Sequence, residues 1–132
     1  MKLPMFALFC ALSAQAQFAV TIAPVRITGQ KAVVALAISN NLARSVESAR
    51  AICILMDDQG KMVGQSSKWV IGGVKDRPAL QPKSGTTFTF VITSPQPWTT
   101  TNLTPRISFN RLVMTGGQVE DVNKVVSVTL PP

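Results

Sequence analysis

The residues able to do chemistry in this chain are few, and what is missing narrows the choice first. There is no histidine and no tyrosine. That excludes Ser-His-Asp and Cys-His nucleophile systems, imidazole metal sites and most general-base designs. Of the two cysteines, Cys10 falls in an expected leader. Cys53, inside Ala51-Ile52-Cys53-Ile54-Leu55, then reads as a buried small hydrophobe with no base to activate it. Met56, Met62 and Met114 are dispersed rather than clustered as a copper site would need. The carboxylates are Glu47, Asp57, Asp58, Asp76, Glu120 and Asp121. A glycosidase needs two of them facing across a cleft, which only Asp76 with a turn acid would offer. No cofactor or metal is expected.

What survives is a binding surface. Lys68, Trp69, Lys75 and Arg77 gather one aromatic and three cations around one loop. Trp and Arg are favoured at interface hot spots, and an aromatic flanked by cations can also stack a sugar while holding an anion. The plainer reading of the same Trp69, and the favoured one, is a plug closing the open end of the sandwich, with the cations solvated. Trp98, in a proline-rich stretch, has the same two readings. Arg106 and Arg111 lie five apart on one strand, an odd spacing by which they could belong to opposite faces and need not form one patch.

The elements that position these residues are strands. Alternation with turn punctuation runs throughout, and no long stretch holds a helical period. Phe18 to Ile27 gives two short pieces broken at Pro24. Val33 to Ser39 puts Val34, Leu36 and Ile38 on one face. Arg50 to Met56 is apolar on both faces and reads as a central strand covered on both sides. Asp57-Asp58-Gln59-Gly60 is a hairpin turn, since Gly supplies positive φ and Asp accepts turn geometry. Lys61 to Val70 returns, Ile71 to Pro82 is a long loop, and Thr86 to Thr93 points Phe88, Phe90 and Ile92 inward. Arg106 to Met114 and Val122 to Leu130 are expected to form a last hairpin around Gly116-Gly117. About seven such strands argue for an all-β, immunoglobulin- or fibronectin-III-like sandwich; a closed barrel is the alternative.

At the amino end, Lys2, the uncharged run Leu3 to Leu12 and the small-x-small Ala14-Gln15-Ala16 form the three-part pattern of a secretory signal. The apolar run is far short of the ~20 residues of a membrane-spanning helix. The expected division is a signal peptide at 1–16 and one sandwich domain at 17–132. Lys and Arg total 13 against 6 Asp and Glu, a net charge of +7. The excess favours anionic surfaces in general, yet the basic residues are scattered and form no nucleic-acid tract.

Leu55-Met56-Asp57-Asp58-Gln59-Gly60 resembles the strand-and-turn core of FxLYD-type bacterial envelope domains, which read Phe-x-Leu-Tyr-Asp before a turn glycine. Leu55, Asp57 and Gly60 match, while Cys53 and Met56 replace the two aromatics. Ile38-Ser39-Asn40 is similar to that family's strand-ending Asn, and Leu80-Gln81-Pro82 followed by Phe88 to its Leu-x-Pro…Phe entry. The resemblance spans about Val33 to Ile92 and implies an Ig-like domain on an exported protein.

Together these readings lead to an exported, periplasmic or secreted, non-enzymatic sandwich. It binds a protein or an envelope component through loops or edge strands, with no specific nucleic acid and no transmembrane segment after cleavage. A binder of an anionic or glycan ligand at the Trp69 loop is the alternative, and a carboxylate hydrolase the third.

Overall fold

Alternating burial along each strand assembles the protein into two sheets. The computed structural model describes residues 17–75 and 77–131; the expected leader, Met1 to Ala16, and Asp76 lie outside the described residues. In chain order the elements are β1 (Phe18–Ile22), β2 (Arg26–Thr28), β3 (Lys31–Asn40), β4 (Val46–Met56), β5 (Met62–Ile71), β6 (Ser84–Thr93), β7 (Thr104–Met114), a single helical turn α1 (Val122–Val125) and β8 (Val126–Thr129). The fold is an all-β sandwich.

The first sheet is built around β3. Its whole length pairs with β6 on one edge, from Lys31↔Thr93 to Asn40↔Ser84. The other edge takes β1 and β2 in succession, because Pro24 has no N–H to continue a ladder. The far edge of β1 takes β8 in parallel, from Phe18↔Val126 to Thr21↔Thr129. The second sheet has the order β5-β4-β7, all antiparallel. The core lies between the sheets. Phe18, Val20 and Ile22 of β1, Val34, Leu36 and Ile38 of β3, and Phe90 and Ile92 of β6 meet Ala51, Cys53 and Leu55 of β4 and Ile107 and Phe109 of β7, all of them buried. The Phe18 and Phe109 rings join the sheets edge to face at 5.5 Å. Each of the Val, Leu, Ile and Phe side chains contributes roughly 1.5–3 kcal/mol by leaving water.

Two expectations are corrected here. The last hairpin is begun and then abandoned. After the turn at Gly116-Gly117, the Met114 N–H donates to Gln118 O (2.7 Å) and the Glu120 N–H to Leu112 O (2.9 Å). Asp121 then caps α1 by accepting from the Asn123 N–H, and the chain crosses to β1 rather than running back along β7. Nor is β4 covered on both faces. Ala51, Cys53 and Leu55 are fully buried, but Ile52, Ile54 and Met56 stay partly exposed between two flanking strands, so the outer face of this sheet meets solvent.

Asn40 ties the loops at one end together. It is fully buried. Its Nδ2 donates to the carbonyls of Leu80 (3.0 Å), Arg44 (3.0 Å) and Gln81 (3.2 Å), while its Oδ1 accepts from the Leu42 N–H. The β4–β5 turn is built as expected: Asp57 Oδ1 accepts from the N–H groups of Gln59 and Lys61, and Gly60 has φ of 78°.

Candidate functional site

The expected cluster around Trp69 does not converge. Trp69 pairs with Arg50, and Lys68 with Ala51, so the two side chains leave opposite faces of the sheet. Lys75 is exposed in the following turn. Arg77 is committed elsewhere: its guanidinium donates to the Trp69 carbonyl and lies 5.3 Å from the centre of the Phe88 ring. It therefore clips the β5 edge of one sheet to the β6 edge of the other, which is a structural task. A cavity of about 300 Å³ opens beside it, lined by Val70, Ile71, Arg77 and the chain from Pro78 to Gln81, without Trp69, Lys68 or Lys75. Trp69 itself is partly buried on the outer face. The turn at Gly72 (φ 54°) and Gly73 (φ 75°) packs onto its indole so closely that a Cβ on Gly73 would collide with the ring.

Trp98 behaves as a plug. Its ring packs near Gly64 and lines a shallow hollow of about 190 Å³ with Val63 and Leu103, and its buried Nε1 has no hydrogen-bond partner among the described residues. Cys53 is fully buried, and burial pushes its thiol up to about 12. The acids are dispersed: Asp57 serves its turn, Glu120 meets Arg44 at 3.4 Å, and Asp121 caps α1. Among the described residues no three of His, Cys, Asp and Glu gather where a metal could be held.

The arrangement that does form is the outer face of the β5-β4-β7 sheet. Its centre is the β4 row Arg50, Ile52, Ile54 and Met56. On β5 these pair with Trp69, Ser67, Gln65 and Met62, and on β7 with Arg111, Ser108, Arg106 and Thr104. The Arg50 guanidinium stacks 5.6 Å from the Trp69 ring centre, a contact worth about 0.5–1 kcal/mol at an exposed site. Arg106 and Arg111 share this face, which their odd spacing alone would not bring about. A β-bulge explains it: Arg50 pairs with Arg111 while Ala51 pairs with Phe109, so Asn110 is an extra residue and parity is reset. Three arginines and a tryptophan thus surround an apolar stripe that ends in Met62, which is 50% exposed. The other sheet's outer face carries mostly small or hydroxylated residues, among them Ala19 and Thr21 on β1, Ala35, Ala37 and Ser39 on β3, and Thr87 and Thr89 on β6, with Arg26 and Lys31 beside Val33 and Val91 at one end and no tryptophan among the described residues.

Spacing within β7 concealed Arg106 and Arg111, but β4 held a signal for the stripe. A strand apolar on both sides needs cover on both sides, from its own chain or from a partner, and only one cover is built among the described residues.

No family model and no curated protein matches the chain. Among solved structures, IrmA from Escherichia coli superposes with a TM-score of 0.52 at 9% identity, over 86% of this chain and 92% of that one. The structural-genomics target SoR45 gives 0.48 at 14% identity, over 80% and 77%. A β-glucuronidase from glycoside hydrolase family 2 gives 0.39 at 17% identity, over 82% of this chain and 10% of that one. At 9% identity the likeness to IrmA is one of fold alone. No helix among the described residues is long and apolar enough to cross a membrane.

Proposed function

We propose that this is an exported, non-enzymatic binding module, periplasmic or secreted, whose outer β5-β4-β7 face docks a protein partner. The observation that carries the reading is the uncovered apolar stripe Ile52, Ile54 and Met56 rimmed by Arg50, Arg106, Arg111 and Trp69. An apolar centre with an Arg- and Trp-bearing rim is the composition of a binding patch. Its charge selects a partner with an acidic surface, since like charges across an interface are costly. Export is supported by β1 beginning at Phe18, just past the expected cleavage after Ala16.

The test is affinity capture from envelope extract with the Gln17–Pro132 protein, compared with Ile54→Asp and with Arg106→Glu, Arg111→Glu. Each variant should lose the same acidic partner while keeping the wild-type far-ultraviolet circular dichroism. Trp69→Ala should weaken capture; Lys68→Ala, on the opposite face, should not. Equal retention of partners by the wild type and the face variants overturns the reading.

A further inference from the structure

The abandoned hairpin leaves a vacancy beside β7. From Leu112 upward the strand pairs with Gln118 to Glu120. Below that point β7 is the outermost strand of its sheet, and its second edge, from Thr104 to Arg111, has no strand partner among the described residues. The segment that would have filled it, β8, has been drawn to β1 on the opposite sheet. Between the two lies an open slot of about 210 Å³, lined by Ile107 and Phe109 on one wall and Val126 and Val128 on the other, with α1 at its end. That is smaller than the ~300–1,000 Å³ of small-molecule pockets and suits a few aliphatic side chains.

Resting on the proposed docking role of this sheet, we infer that the β7 edge accepts an extended peptide strand from the partner, one that alternates acidic with small aliphatic residues. Backbone pairing along a free edge supplies affinity and alternate side chains supply specificity. A strand laid antiparallel to β7, continuing the line begun by Gln118 to Glu120, turns every second side chain into the slot, where valine-sized groups meet Ile107, Phe109, Val126 and Val128. The intervening side chains emerge on the outer face beside Arg106 and Arg111. β7 carries no acid of its own, so these two guanidinium groups call for acidic residues from the guest. A second copy of this chain does not fit. Pairing two β7 edges would oppose arginines to arginines, and β5, β6 and β8 offer no Asp or Glu; like charges directly across strands destabilise.

The test uses the Gln17–Pro132 protein and a synthetic peptide of four Asp-Val repeats. Three controls accompany it: a Lys-Val peptide, the Asp-Val peptide N-methylated at alternate residues in each of the two phases, and a scrambled peptide. Binding is read by amide chemical shifts and by hydrogen exchange. The expected result is saturable binding of Asp-Val, with new protection confined to Thr104–Arg111. N-methylation in the phase facing β7 should weaken it roughly tenfold, the loss of two or so hydrogen bonds. Arg106→Glu, Arg111→Glu should switch preference to Lys-Val, a gain that a misfolded variant would not show. Binding indifferent to N-methylation, or protection elsewhere, overturns the inference, as does protection of β7 that appears with protein concentration alone, which would assign the edge to a second copy. Loss of partner capture in Ile54→Asp together with an unresponsive β7 edge would leave the docking face standing and this inference refuted.

Discussion

Asn40 shows how much one polar side chain can hold. It makes four hydrogen bonds, three donated and one accepted, to the two segments Leu42–Arg44 and Leu80–Gln81. Asn40→Ala would release the Leu42 N–H and take one donor from the Leu80 carbonyl, which keeps the Val46 N–H at 2.9 Å; a buried group left unsatisfied costs about 1–3 kcal/mol. The expected loss is about 1–3 kcal/mol, read from urea denaturation midpoints, and Asn40→Asp should restore only the bond from the Leu42 N–H, because a carboxylate cannot donate to the carbonyls. Cys53 makes a pH prediction. Its thiol is pushed from 9.0 up to about 12 by desolvation. Below pH 9 the thiol is protonated in the folded and unfolded chains alike, so it leaves stability unchanged. Above pH 9 the unfolded chain loses the proton first, and stability falls by about 1.4 kcal/mol per pH unit until the folded thiol ionises. Cys53→Ala should lower stability at neutral pH through a small cavity and lack that slope between pH 9 and 11. Parallel wild-type and variant slopes would sink the assignment. The Cys53 role was legible in its apolar neighbours. The Asn40 role was not, since its partners Leu80 and Gln81 lie forty residues away in sequence, and locally it reads only as a strand terminator.

At the scale of the element, β7 separates what periodicity can and cannot disclose. Alternation located the strand, and the structure buries its Ile107 and Phe109. That alternation could not bring Arg106 and Arg111 to one face, because a bulge belongs to a pair of strands and leaves no mark on the period of one. The bulge makes an unusual prediction about deletions. Removing Asn110 takes out the extra residue, so Arg111 keeps its place opposite Arg50 and Phe109 keeps its place opposite Ala51. Removing Ser108 shortens the strand equally, but slides Phe109 to the outer face and Asn110 into its buried position. Losing a buried Phe alone costs about 3–5 kcal/mol, and a buried amide without partners adds to it. Deletion of Asn110 should therefore fold with a melting temperature within a few degrees of wild type, and deletion of Ser108 should lose cooperative unfolding. Equal damage from the two would show that the bulge does not absorb the missing residue. The route of β8 was equally hidden. Gly116-Gly117 announces a turn, and the turn forms, but nothing in the local pattern states that Asp121 will start a helical turn and send the chain to β1.

For the whole molecule, that route makes the two ends of the domain depend on each other. β1 is the first strand in sequence, yet it lies inside its sheet, with β3 on one edge and β8 on the other. It buries Phe18, Val20 and Ile22 completely, and Gln17 contributes its carbonyl to the Asn41 N–H at 2.7 Å. A protein starting at Gln17 keeps all of this; one starting a few residues later does not. Removing residues 17–22 deletes three buried side chains of the core, roughly 1.5–3 kcal/mol each, and takes away the strand partner of β8. The total is comparable to the whole 5–15 kcal/mol margin of an ordinary domain. The expected outcome is that Gln17–Pro132 unfolds in one cooperative step, at the same temperature with or without reductant because Cys53 is its lone, buried thiol. The protein beginning at Ala23 should show rapid amide exchange throughout Val126–Thr129 and no sharp transition. Persistence of β8 protection without β1 would mean that β8 can pair elsewhere, and the vacant β7 edge is where it would be found.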